Sequence, residues 1–202
     1  MKAKKYNENQ ILAICNDLKA NEAVIVATDT VMGLGAKASS KVAFDKLKKI
    51  KNRPENKPFP VMVSNISQLE KIVDLTKRDK KLVEKWFPGP ITFIFNKKKN
   101  ADIYTDVKTL AVRMPNDNLI LKIVETLDQP IYLTSANKSG ESTILKASEA
   151  LDIFENEVSS IMMSDAKGKR ASTIIDASDE DLSLIRKGKI KIEEVIESLE
   201  EE

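Results

Sequence analysis

The stretch "KIKNRPENKPFPVMV" (Lys49–Val63) carries Lys49, Lys51, Arg53 and Lys57 within nine residues and then turns into a proline-bounded apolar run. Cations at that density can neutralise phosphate or carboxylate groups, although a solvated helix face produces the same pattern. A second polar stretch, "IYLTSANKSGES" (Ile131–Ser142), places Thr134, Ser135, Asn137 and Ser139 directly after an apolar strand. Hydroxyls and an amide there either cap local backbone or hydrogen-bond phosphate oxygens. A third, "KGKRASTIIDAS", sets Gly168, Arg170, Ser172 and Thr173 at the start of a strand. Among 33 basic residues, arginine occurs only as Arg53, Arg78, Arg113, Arg170 and Arg186. A guanidinium grips phosphate or carboxylate with two parallel hydrogen bonds, which lysine cannot reproduce. Arg113 and Arg186 each end an apolar strand and can point into one cleft, whereas Arg78 sits among helix charges and reads as surface.

The absences narrow the chemistry further. The chain contains no histidine, which removes Ser/His/Asp and Cys/His nucleophile pairs and the commonest nitrogen ligand of zinc. No G-x-x-x-x-G-K-[ST] phosphate loop is present. Gly33-x-Gly35-x-x-Ala38 formally matches a dinucleotide fingerprint, but Gly33 comes six positions after Ala27, the end of the preceding apolar run, too far for a Rossmann turn. The "TDT" segment (Thr28–Thr30) before it reads instead as the end of a strand running into a glycine-containing turn, a suitable edge for a small polar ligand. The net charge is +2, so any anion site must be local rather than a global field. The single Cys15 lies in an apolar helix pattern and reads as core.

The elements that must position these groups are strands and helices in alternation. Strand patterns occupy Ala23–Ala27, Phe59–Val63, Ile91–Phe95, Leu110–Arg113, Ile131–Leu133, Ser160–Met163, Thr173–Asp176 and Leu184–Arg186. Helical patterns occupy Asn9–Lys19, Ser40–Ile50, Leu69–Val73, Lys80–Trp86, Asn118–Leu127, Ala147–Phe154 and Ile192–Leu199. The class is α/β with a mixed sheet. At 202 residues and 42% hydrophobic content, one domain over 1–202 is expected, ending in a helix and acidic tail over 190–202. The absence of a signal-like N-terminus and of any 18-residue apolar run predicts a cytoplasmic protein with no membrane partner.

From about Val24 to Arg186 the ordered motifs "TDTVMGLG", "KNRPENKP", "FPGPITFIF", "LAVRMP", "TSANKSG", "STIID" and "IRKG" resemble the YrdC/TsaC-type threonylcarbamoyl-AMP synthases. The resemblance implies a YrdC-like fold, a twisted mixed sheet with flanking helices around a large basic concave cavity. It implies the conversion of L-threonine, bicarbonate or CO2, and ATP to threonylcarbamoyl-AMP and pyrophosphate, as a step toward N6-threonylcarbamoyladenosine in tRNA. It also implies Mg2+ held mainly through the ATP phosphates and a TsaD-type transferase complex as consumer of the product, with tRNA contact left open. By the same resemblance Lys51, Arg53, Ser135 and Asn137 form the catalytic polar set, which also touches the nucleotide. Thr30 and Lys57 shape the threonine end, while Arg113, Ser172 and Arg186 hold the nucleotide. Met32 stands where the family often has tyrosine, a change expected to loosen a pocket. The short stretch after "IRKG" suggests the single-domain form. Two alternatives stand beside the synthase: a YrdC-like module or paralogue that holds tRNA or double-stranded RNA without adenylating, and a carbamoyl-phosphate-using relative of hydrogenase maturation proteins.

Overall fold

The computed structural model describes residues 2–52, 58–168 and 171–200. Its strands are β1 (Lys4–Tyr6), β2 (Val24–Val26), β3 (Gly33–Lys37), β4 (Val61–Met62), β5 (Ile91–Asn96), β6 (Thr109–Arg113), β7 (Ile131–Ser135), β8 (Ser160–Met162), β9 (Thr173–Asp176) and β10 (Ser183–Arg186). They form one ten-stranded mixed sheet in the order β1-β8-β2-β3-β7-β4-β6-β5-β9-β10. The helices are α1 (Ile11–Lys19), α2 (Lys41–Lys51), α3 (Ile66–Ile72), α4 (Lys77–Trp86), α5 (Asn118–Leu127), α6 (Ala147–Phe154) and α7 (Ile192–Glu200). Helix α1 packs on α5, α4 on α7, α2 against β3 and α6 against β8. The α/β class and mixed sheet expected from alternating apolar patterns are therefore what the chain forms.

Two strands depart from the expectation. Gly33–Lys37 is a fully paired strand, with β2 on one side and β7 on the other, where a glycine turn was expected. A Cβ at Gly33 would lie 2.8 Å from Leu133 Cδ1 and 3.0 Å from Thr28 Cγ2, so glycine is there for close approach rather than for a turn. β1 is three polar residues, too short to show a period; it extends the sheet by pairing in parallel with β8. Helix starts also move. Asn65 caps α3 by accepting from Gln68 N, and Thr76 with Asp79 forms a capping box, so α4 begins three residues before the apolar pattern does.

The core beneath α2 is aromatic. Phe44 contacts Phe59, Tyr104 and Tyr132 with ring centroids 5.6, 5.3 and 5.6 Å away. The Tyr132 hydroxyl donates to the Tyr104 carbonyl, and burial pushes its pKa well above that of an ordinary tyrosine. Helix α2 buries Ala43, Phe44, Leu47 and Ile50, a spacing that defines one face, and the next residue on that face is Lys51. Ser40 starts the helix by accepting from Ala43 N at 3.2 Å. Asn52 stops it in the left-handed region (φ 48°, ψ 48°), its N–H returning to the carbonyls of Lys48 and Lys49. The charge run is thus not simply a solvated face, because its Lys51 turns inward.

Arg78, expected at the surface, is a clamp. Its guanidinium donates to Asp79 Oδ1, to the Ala177 carbonyl at 2.7 Å, to the Asp179 carbonyl at 2.8 Å and to the Glu180 carbonyl. Those carbonyls form the turn between β9 and β10, so a helix charge fixes the hairpin that carries Arg186. Cys15 is buried, as its apolar setting predicts. Among the described residues no helix is long and apolar enough to cross a membrane.

Candidate functional site

Lys51 is 2% exposed and sits on the last turn of α2. Its Nζ donates to the Ser135 carbonyl at 2.8 Å and to Asn137 Oδ1 at 2.6 Å, with Ser135 Oγ 3.5 Å away. Ser135 Oγ in turn donates to Asn137 Oδ1 at 2.6 Å, and Asn137 Nδ2 donates to the Glu141 carbonyl at 2.6 Å. A buried ammonium, a hydroxyl and an amide therefore converge from two elements 84 residues apart. Two further bonds lock the loop after β7 onto the end of α2. Ser139 N donates to the Lys51 carbonyl at 2.8 Å, and Lys138 Nζ donates to the Ile50 carbonyl at 2.9 Å while pairing with Glu157. A cation on the last carbonyls of a helix also complements its dipole. Arg53 and Lys57, expected beside this group, lie outside the described residues, as does Arg170.

A second group gathers at Ser172. Its Oγ lies 3.0 Å from Thr92 Oγ1, and Arg186 donates to its carbonyl from Nε at 3.1 Å and from Nη2 at 2.9 Å. Gly188 makes this approach possible, since a Cβ there would stand 2.2 Å from Thr173 N. Arg186 as a residue is exposed, but its guanidinium end is partly covered. That burial, and then repulsion from Arg113, pull its pKa below the ordinary arginine value. Arg113 is 8% exposed. Its Nε donates to the Gly89 carbonyl at 3.0 Å, and its Nη2 pairs with Asp29 Oδ2 at 3.5 Å. Burial lowers its pKa, opposed first by Asp29 and then by Asp117.

The 28–30 segment spans the two groups. Thr28 Cγ2 crowds Gly33, which pairs with Ser135 across the sheet, while the next residue, Asp29, reaches Arg113. Thr28 Oγ1 donates to the Val31 carbonyl at 2.6 Å, accepts from Thr30 N at 3.0 Å and lies 3.0 Å from Thr30 Oγ1. Thr30 is thereby held in a tight hydroxyl turn. Among the described residues Ser135 and Asn137 make no direct hydrogen bond to Arg113 or Arg186, so the groups are neighbours through this segment rather than one network. Met32 is completely buried, which makes it core, and its backbone pairs with Ile144 and Ala136.

Sequence reasoning missed Asp29 and Asp117. Asp117 Oδ2 accepts from Asp29 N at 2.7 Å, while its Oδ1 caps α5 by accepting from Leu119 N at 3.0 Å. The cap was legible in "PNDNLI"; the contact 88 residues away was not. A cavity of about 290 Å³ opens beside this segment, its charged lining being Glu8, Asp29, Asp117 and Asp165 against Lys167. Four carboxylates to one cation repel a polyphosphate, and neither Lys51 nor Ser135 reaches it. Among the described residues no three His, Cys, Asp or Glu side chains come together in a way that could hold a metal ion.

Comparison with known proteins places the chain in a family. The Sua5/YciO/YrdC family model, described as telomere recombination, matches residues 16–188. The chain is similar to the threonylcarbamoyl-AMP synthase of Bacillus subtilis (strain 168), with 32% identity covering 94% of this chain and 56% of that relative. It is 31% identical to the putative threonylcarbamoyl-AMP synthase of Methanocaldococcus jannaschii, covering 85% of this chain and 82% of the relative. Among solved structures, Pyrococcus abyssi Sua5 complexed with L-threonine superposes with a TM-score of 0.88 at 27% identity, covering 97% of this chain and 61% of that one. Escherichia coli YciO shares the fold, with a TM-score of 0.84 at 21% identity over 94% of this chain and 98% of that one. The chain thus spans a little over half the length of the Bacillus relative it matches.

Proposed function

The chain belongs to the Sua5/YciO/YrdC family, and from that membership we propose that it is an L-threonylcarbamoyl-AMP synthase, a nucleotidyltransferase acting in tRNA modification in the cytoplasm. The amine of L-threonine adds to CO2 and gives up a proton, or condenses with bicarbonate with loss of water, to form a carbamate. A carbamate oxygen attacks the α-phosphorus of ATP, the bond to the bridging oxygen breaks, and pyrophosphate leaves with that electron pair. The observation that carries the reading is the 2%-exposed Lys51 ammonium held against Ser135 and Asn137 in a chain without histidine. Such a site supplies charge and position rather than a covalent nucleophile, which is what in-line phosphoryl chemistry asks for.

Lys51 neutralises charge on the carbamate and phosphates, together with Arg53. Ser135 is the adaptable donor, because its hydroxyl hydrogen can turn from Asn137 Oδ1 toward a phosphate oxygen without any backbone movement. Thr30 and Lys57 shape the threonine end, and Arg113, Ser172 and Arg186 take the nucleotide. Mg2+ would be carried mainly by the ATP phosphates, where it would offset their charge. The mixed anhydride product passes to a TsaD-type transferase complex that modifies tRNA.

The test is pyrophosphate release by the purified protein with ATP and Mg2+, omitting threonine and bicarbonate in turn, with mass spectrometry for the adenylate. Release that requires both substrates is the expected result. Turnover indifferent to threonine, in an assay where an established synthase works, overturns the reading.

A further inference from the structure

We infer that Asp29, seated by Asp117, is a positioning residue that sets the orientation of the Arg113 guanidinium for an anionic group of the substrate. The inference rests on the synthase reading for the identity of that anion, but the positioning itself is a property of the unliganded protein. Arg113 is buried, and among the described residues only the Gly89 carbonyl and Asp29 engage it. The hydrogen bond is through Nε and the ion pair through Nη2, so the remaining N–H groups of the fork are available to a ligand. Nε alone would leave the fork free to turn about its own axis. The Asp29 carboxylate, itself 11% exposed, defines which edge faces outward.

Asp29 can do this only because its backbone is fixed. The Asp117 carboxylate accepts its N–H at 2.7 Å and spends its other oxygen on the start of α5. The start of a helix is thereby coupled to the strand-end arginine through two carboxylates. The groups facing Arg113 are Asp29 and Asp117, which favour its charge, and Arg186, which opposes it. An arriving carboxylate or phosphate would relieve the repulsion between the arginines, while Asp29 keeps Arg113 from swinging out to meet it.

Two roles for Asp29 predict opposite signs. Asp29→Asn adds one positive charge to the site while keeping the side-chain shape. If Asp29 merely neutralises Arg113, anion binding tightens; if it positions Arg113, binding weakens despite the added charge. The first measurement is ligand-free: 15N NMR of the arginine side chains, with Arg113 assigned by Arg113→Lys. Wild type is expected to show a restricted Arg113 guanidinium and Asp29→Asn a freely rotating one, with Asp29→Glu intermediate. The second titrates ATP and L-threonine separately by calorimetry. The ligand weakened by Arg113→Lys is expected to weaken about tenfold in Asp29→Asn and to recover in Asp29→Glu, with the other ligand unaffected. An unchanged guanidinium signal in Asp29→Asn, or equal or tighter binding, overturns the inference. Wild type binding neither ligand, with the NMR difference intact, would sink the synthase reading and leave the positioning standing.

Discussion

Replacing Lys51 with methionine separates the ammonium from the volume it occupies. The side chain is 2% exposed, so an unbranched apolar group of similar length fills the same channel along α2. Hydrogen bonds disappear, among them those to the Ser135 carbonyl at 2.8 Å and to Asn137 Oδ1 at 2.6 Å. Bonds from a charged donor contribute about 1.5–3 kcal/mol each, and against that loss stands the removal of a buried charge whose desolvation costs several kcal/mol. Asn137 Oδ1 is not orphaned, because Ser135 Oγ still donates to it at 2.6 Å. The two large contributions oppose each other, and the expected net change in stability is within about 2 kcal/mol. The transition state has no such compensation. Removing one preorganised charge from a dry phosphoryl-transfer site costs about 10²–10³ in kcat, or about 2.7–4 kcal/mol. The assay is threonine- and bicarbonate-dependent pyrophosphate release at saturating ATP, alongside urea denaturation of the same preparation. A Lys51→Met protein that stays folded and turns over within tenfold of wild type would refute the assignment of Lys51 to charge stabilisation.

Three further outcomes follow from the core. Phe44→Ala removes the ring that meets Phe59, Tyr104 and Tyr132, and is expected to lower unfolding free energy by about 3–5 kcal/mol; a loss below about 1 kcal/mol in urea melts would mean that the cluster collapses onto the gap. Cys15 is 1% exposed, and burial pushes its thiol pKa up. Native protein should therefore resist a thiol reagent at pH 8 until urea unfolds it. Because the folded pKa is raised, the stabilisation is complete below the unfolded thiol's pKa, about 8.5, and is lost as pH rises toward the folded value. Cys15→Ser should flatten that alkaline slope, and an unchanged slope would count against burial as its origin.

The elements legible in the sequence are those with a period or a cap. Asn118–Leu127 and Ala147–Phe154 show apolar faces wide enough to fix both ends. β3 was not legible because Gly33 looks like a turn residue, and its reason, the Leu133 side chain at the missing Cβ, comes from a strand a hundred residues later. The gathering of Lys51, Ser135 and Asn137 could be anticipated only through the family resemblance, because by residue type alone the charge run reads equally as a solvated face and the hydroxyl and amide groups at a strand end read equally as local caps. Asp29 and Asp117 carry no such signal. One reads as part of a polar turn and the other as an ordinary helix cap, and only the folded backbone brings them to Arg113.

The strand order dictates when this molecule becomes whole during synthesis. β7 is wedged between β3 and β4, and β8 between β1 and β2, so every N-terminal strand waits for a partner from the second half of the chain. The ribosome must therefore release residues beyond 162 before the first half of the sheet can close. Until then β2 and β3 are a bare hairpin with open edges, the kind of segment that chaperones cover. Lys51 is made early and meets Ser135 and Asn137 only after 84 and 86 more residues have been added. The nascent first half consequently carries the Lys51 charge before the Ser135 and Asn137 acceptors exist.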